Sequence, residues 1–477
     1  MSGYPYTPQA DAENSQKACG ALVPTLPRQP EPRLATGVAR TPSPNTECPT
    51  TSLPRITTPP RPSAWSHPCS ARFRFTLTEY HDFAPTSSLP VTRWYVSLFK
   101  KDAMNRFRLL FVAGITLSFS ISFAVAAAFR ATAPSASRVG TLTSAAPMLE
   151  PRSGQTATLL PDGKVLIAGG MRRNQDFYKS AEIYDPATGK FQPTGEMAER
   201  RVGHIAVLLR SGKVLVAGGW VGRGTTDSAE LYDPVTGKFT TIAKLTARRG
   251  EPRATMLANG DVLITGGEDH DGPSGHLSSA EVFHAASLSF QATGAMHHAR
   301  VAHTATLLND GKVLIAGGKG GTLTPSAELY DPKTGTFSET GALVTARYKH
   351  TAGLLPDGRV LITGGSDERD WDGNLKSAEV YDPGTGKFAP TSPMNDSRFK
   401  LPEQAVQLQS GRLLVAGGSR EAEIFDPASG KFLVVPGQMN DRWHYMTETK
   451  LRDGSVLLAG GYANNDQGTA QTWIYRP

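Results

Sequence analysis

A unit of about 50 residues, repeated seven times, governs what this chain can fold into. An apolar run ending in Gly-Gly recurs as KVLIAGG to Gly170, KVLVAGG to Gly219, DVLITGG to Gly267 and KVLIAGG to Gly318. It continues as RVLITGG to Gly365, RLLVAGG to Gly418 and SVLLAGG to Gly461. Successive copies are 49, 48, 51, 47, 53 and 43 residues apart. A second signature follows each run: AEIYDPATGKF from Ala181, AELYDPVTGKF from Ala229, AEVFHAASLSF from Ala280, AELYDPKTGTF from Ala327, AEVYDPGTGKF from Ala378 and AEIFDPASGKF from Ala422. The seventh is the degenerate TWIYRP at the end of the chain. Such a period means one supersecondary unit that buries its apolar faces only against its neighbours.

Each unit reads as four short strands. HTATLL (His303–Leu308) is a first strand, and a tight turn such as NDGK or PDGK leads to the VLIAGG run as the second. AELYDP is the third, and the TGKF segment beyond the D-P-x-T-G turn is the fourth. The second strand is apolar throughout rather than alternating, the pattern of a strand buried on both faces. Four-stranded units arrayed radially protect their edges by closing a ring. Residues 138–477 are therefore expected to be all-β, a seven-bladed β-propeller of four-stranded antiparallel blades. The seventh unit lacks a fourth strand, and GTLTSAAPMLEPR (140–152) aligns with unit ends such as GKFQPTGEMAERR (189–201). An N-terminal strand is thus expected to close the last blade. The Gly-Gly and Tyr-Asp-Pro arrangement resembles the kelch repeat, of the type in exported bacterial propellers and in the central domain of galactose oxidase. One departure is Phe after the T-G turn, at Phe191, Phe239, Phe337, Phe388 and Phe432, where that repeat usually has Trp.

The first quarter of the chain is of another kind. Residues 1–129 carry 13 Lys/Arg against 7 Asp/Glu, while the whole chain of 477 residues has a net charge of +7. The repeats are close to neutral, which argues against a nucleic-acid surface. Residues 1–103 hold 16 of the 35 prolines and no lasting period, the composition of a disordered tail or an over-long gene prediction. From Met104, residues 104–129 have the shape of a secretory signal. Arg106 and Arg108 precede an apolar run, and Ala124-Val125-Ala126 offers a cleavage site. Met104 is read as the true start. The uncharged 109–129 run is also long enough to span a bilayer if uncleaved, the one circumstance giving the protein a membrane partner. Either way the propeller is expected outside the cytoplasm, secreted or periplasmic, or anchored with the propeller outside.

Repetition also separates structure from function. Glu182, Glu230, Glu281, Glu328, Glu379 and Glu423 share one repeat position. Arg152, Arg201, Arg249, Arg300, Arg347 and Arg442 are aligned at another. A ring of equivalents suits inter-blade Arg–Glu pairs better than one catalytic site. His204, His303, His350 and His444 fall near the same rim and read as packing residues, so no metal site is assigned. The loops after Gly-Gly differ in every copy and are the expected binding surface. Trp220, Trp371, Trp443 and Tyr462 would give that face aromatic area, and Asp269, His270, Asp271, Asp370 and His444 polar groups. No complete catalytic set is legible and no cofactor is assigned. The first reading is a non-enzymatic scaffold for a protein or glycan ligand. The alternative is a cofactor-free, epimerase-like enzyme acting on carbohydrate. The resemblance to galactose oxidase would imply a copper site with a Tyr–Cys cross-link. Cys19, Cys48 and Cys69 all precede the repeats, so that cofactor is not expected.

Overall fold

The computed structural model describes residues 139–269, 275–463 and 466–477. The expected tail (1–103) and signal (104–129) lie outside the described residues. Seven four-stranded antiparallel sheets form the blades of a β-propeller. Blade 1 runs Thr156–Leu159, Val165–Ala168, Ala181–Asp185 and Lys190–Pro193 from the axis outward. The next five blades repeat this order, ending with Val406–Gln407, Leu413–Val415, Glu423–Asp426 and Lys431–Val434 in blade 6. Blade 7 takes Thr447–Lys450, Val456–Ala459 and Thr472–Arg476 from one end of the domain and Thr141–Ser144 from the other. Thr141 pairs with Arg476 and Ser144 with Trp473, so an N-terminal strand closes the ring as its sequence predicts.

The unbroken apolar second strand has a direct cause. Val165–Ala168 is buried along its whole length. Val165 and Ile167 face a cluster with Leu457 and Ile474 of blade 7. Leu166 and Ala168 face a cluster with Val214, Val216 and Tyr232 of blade 2. One strand thus feeds the cores on both sides of its sheet, and each such aliphatic side chain contributes roughly 1.5–3 kcal/mol. The D-P-x-T-G turn has an equally local reason. Ala187 N–H bonds Asp185 Oδ1 at 2.9 Å, and Gly189 N–H bonds the Asp185 carbonyl at 2.8 Å. That turn sets Phe191 opposite Tyr184 with ring centroids 4.8 Å apart.

The Gly-Gly pair ends the second strand where the next connector arrives. A Cβ on Gly169, at φ +62°, would lie 2.6 Å from the Arg201 carbonyl. Gly170 N–H donates to that same carbonyl at 2.9 Å. The residue after Gly-Gly then bridges to the connector, as in Ser153 with Met171, Val202 with Trp220, Gly250 with Glu268 and His444 with Tyr462. The variable loops and the connectors therefore share one face.

Candidate functional site at the axial mouth

Six of the seven connectors carry a fully buried arginine that ties two blades together. Arg201 accepts from Gly170 of blade 1 through its carbonyl. Its guanidinium donates to the Gly218 carbonyl, Ser228 Oγ and Glu230 Oε1 of blade 2, each at 2.9 Å. The same ion pair joins Arg152 to Glu182 (2.9 Å), Arg249 to Glu281 (2.6 Å), Arg300 to Glu328 (2.7 Å) and Arg347 to Glu379 (2.9 Å). The sixth pair is Arg398 with Glu423 at 2.8 Å, a correction to the alignment of Arg442. Arg442 is half exposed and meets Asp396 at 3.2 Å. Trp443 holds the blade 7 position, and its carbonyl receives Gly418 N–H at 2.8 Å. Arg398 escaped detection because it stands eight residues before Val406, whereas Arg201 stands four before Ile205.

Two residues beyond each of these positions the backbone turns left-handed. The residues there are Gly154, Gly203, Glu251, Ala302, Lys349, Lys400 and Tyr445, with φ between +47° and +62°. Their backbones hand hydrogen bonds around the axis: Gly203 N–H to Gly154, Glu251 to Gly203, Lys349 to Ala302, Tyr445 to Lys400 and Gly154 to Tyr445. Only glycine adopts this conformation without strain. Glu251, Ala302, Lys349, Lys400 and Tyr445 hold it at about 1 kcal/mol each. Four of these carry charged or phenolic side chains, and Glu251, Lys349 and Lys400 interact by charge across one mouth. An axial cavity of about 780 Å³ runs below, lined in part by Glu251, Arg253, Glu403, Tyr445, Glu448 and Lys450.

The mouth is electrostatically unusual. Glu251 is buried, and burial raises its carboxyl despite Arg253, Lys349 and Lys400. A side-chain hydrogen bond with the Tyr445 hydroxyl opposes that rise without cancelling it. Burial, then the Glu251 charge, pushes Glu268 up to about 8. Lys349 Nζ is 2.9 Å from Asp370 Oδ1, which also accepts from the Tyr348 hydroxyl at 2.9 Å. Burial opposes ionisation of Asp370, but Lys349 and Lys400 outweigh it and hold its carboxyl below the usual range. Lys400 Nζ donates to the Tyr462 hydroxyl at 2.8 Å. Burial, then Lys349, lowers Lys400 to about 7. Deeper in the cavity, burial raises Glu403 to about 7 and Glu448 to about 8.

Four of the residues expected to bind converge here. Asp370 and Trp371 sit on the one-turn 3-10 segment Asp370–Asp372 of the blade 5 loop. Trp371 packs edge-on against His444 at 5.0 Å and Tyr462 at 6.3 Å. Trp371 is 37% exposed, but Tyr462, His444, Trp220 and Trp443 are buried. The aromatic surface expected from Tyr462, Trp220 and Trp443 is therefore spent inside the protein. Trp220 packs with Met171, Phe177, Val202 and Tyr462, and Trp443 against Trp473 between blades 6 and 7. Asp269 lies apart and accepts from Thr225 Oγ1 at 3.0 Å. His270 and Asp271 lie outside the described residues. His204, His303 and His350 are buried, each with Nε2 on a threonine hydroxyl at 2.9–3.1 Å. His444 is two positions off their register, in the column of Val202 and Tyr348; burial lowers it to about 4, and its Nδ1 meets the Phe399 carbonyl at 3.2 Å. Glu251, Glu268, Lys349, Lys400 and Tyr348 were not singled out from sequence. Reading the repeat column that holds Gly154 and Gly203 would have found three of them.

A family model described as the kelch motif matches residues 153–198, 204–246 and 347–395. Those kelch motifs lie within a β-propeller of seven blades. No curated protein matches it. Among solved structures it is similar to a fungal alcohol oxidase of the AA5 family in complex with copper. That match has a TM-score of 0.60 and 16% identity, covering 71% of this chain and 77% of the other. At that identity the likeness is one of fold. Among the described residues no three His, Cys, Asp or Glu groups lie close enough to share a metal ion. Of the phenols near the mouth, Tyr462 is engaged by Lys400 and Tyr348 by Asp370.

Proposed function

We propose that this protein is an exported kelch-repeat binding module that takes a small, glycan-like ligand at the loop-face mouth of its axial channel. One observation carries the reading. The left-handed connector position is Gly or Ala in three blades and Glu251, Lys349, Lys400 or Tyr445 in the other four. A conformation that disfavours side chains keeps them only where the surroundings hold them, and such outliers cluster at ligand sites. Carboxyl, amino and phenol groups beside the exposed Trp371 ring suit a hydroxyl-rich ring compound. The cavity volume of about 780 Å³ falls in the range of small-molecule sites. The Met104–Phe129 run supports export.

A glycan array followed by calorimetric titration tests the proposal. One glycan class should bind the wild type, and Glu251→Gly should lose it while its melting temperature holds or rises. Binding that survives both Glu251→Gly and Lys349→Met sinks the reading. A second reading, cofactor-free acid–base chemistry on the bound sugar, is favoured by Glu268 near 8 and Lys400 near 7 in one site. Its test is exchange of carbon-bound hydrogens of the ligand in D2O, followed by NMR. An unexchanged ligand leaves binding alone.

A further inference from the structure

The left-handed connector position holds lysine in two consecutive blades, and the two lysines meet different surroundings. Lys349 Nζ is ion-paired with Asp370 at 2.9 Å. Lys400 has no carboxylate at ion-pair distance among the described residues, and its Nζ bonds the Tyr462 hydroxyl at 2.8 Å. Aromatic rings surround it, with Nζ 3.8 Å from the Trp371 centroid, 4.9 Å from Phe399, 5.4 Å from Tyr462 and 6.0 Å from Tyr445. Lys349 repels its positive charge, while Asp370, Asp466 and Glu251 attract it from beyond contact. Desolvation in an aromatic pocket beside a second cation is how a lysine becomes a nucleophile.

We infer that the Lys400 amine captures a small aldehyde or ketone as an imine, with Trp371 as the cover of the site. The inference rests on the mouth admitting a ligand, as proposed above. The Nζ lone pair attacks the carbonyl carbon, a C–N bond forms, and the π electrons of C=O move to oxygen. The two amine hydrogens pass as protons to that oxygen, relayed by the Tyr462 hydroxyl. Water then leaves as the C=N bond forms. No oxidant or reductant takes part. A hydroxy-aldehyde fits best, because the Tyr445 ring lies 6.0 Å from Lys400 Nζ and Glu251 acts on that amine by charge, so both can meet its hydroxyl groups.

The test treats the full chain with glycolaldehyde and sodium cyanoborohydride, which fixes the imine as a secondary amine. Peptide mass spectrometry then reads the rate at each lysine. An ordinary lysine is unprotonated in only about one molecule in 2,500 at neutral pH, so Lys400 should react at least about tenfold faster than Lys349 and the exposed lysines. Trp371→Ala should speed the reaction further, and Lys400→Arg should remove that product alone. Lys400 staying slower than the exposed lysines, in both the wild type and a folded Trp371→Ala variant, overturns the inference. Glycan binding with no Lys400 adduct overturns the imine and spares the binding reading. A Lys400 adduct without any glycan bound supports the imine and overturns the glycan reading.

Discussion

At the scale of single residues, the ring of left-handed positions separates what the fold needs from what it tolerates. Glycine or alanine suffices at Gly154, Gly203 and Ala302, so the backbone bonds around the axis do not require the side chains found in the other blades. Ala302→Gly should therefore stabilise the protein by about 1 kcal/mol, read from urea unfolding, because it removes only strain. A loss of stability would mean that the Ala302 methyl packs better than its backbone suggests. The buried carboxyls give a second prediction. Folded Glu448, near 8, keeps a proton that the unfolded chain gives up near 4.5, so its contribution to stability is lost as pH rises between those values. Glu448→Gln removes that loss. The melting temperature of the variant relative to wild type should climb from pH 5 to pH 8 and then level off. A constant difference would show that Glu448 titrates normally. These residues were hard to see in the sequence because Lys349, Lys400 and Glu251 look like ordinary surface charges until their column is read beside Gly154 and Gly203.

At the scale of elements, the connector staple is the most repeated interaction and the most legible. Arg201, Glu230 and their counterparts recur because six of the seven blade junctions share one geometry, the exception being Trp443 before blade 7. Arg201→Met should cost about 3–5 kcal/mol in chemical unfolding, since Glu230 is left buried without its partner. The double variant Arg201→Met, Glu230→Leu should recover much of that loss. A double variant no better than the single would show that the other hydrogen bonds of the arginine, not its charge pairing, hold the connector. Blade 6 is where the pattern misleads. Pro402 to Ala405 enter beside the axis, with Gln404 bridged to Ala352 in parallel, and only Val406–Gln407 remain as first strand. The insertion shifts Arg398 out of register with its strand and brings Glu403 to 3.9 Å from Arg253. No local propensity marks such a shift, because Leu-Pro-Glu-Gln reads as a plain loop.

At the scale of the whole molecule, seven cores each lie between two neighbouring sheets, and the cluster of Val165, Ile167, Leu457 and Ile474 joins the last to the first. Leu142, from the N-terminal strand, packs with Ile424 of blade 6 and Trp473 of blade 7. Leu142→Ala should cost about 3 kcal/mol, and removal of residues 139–148 should lower the melting temperature well beyond that. An unchanged melting temperature on truncation would mean that the ring stays shut without its outer strand. The same pairing has a mechanical meaning. Thr141 lies opposite Arg476, so residues 140 and 477 leave the sheet at the same edge. A load applied between them falls on one hydrogen-bonded pair at a time, and the strand peels like a zipper instead of shearing as a block. Under an optical trap this propeller should open first at blade 7, at low force, and lose its remaining blades one by one from that seam.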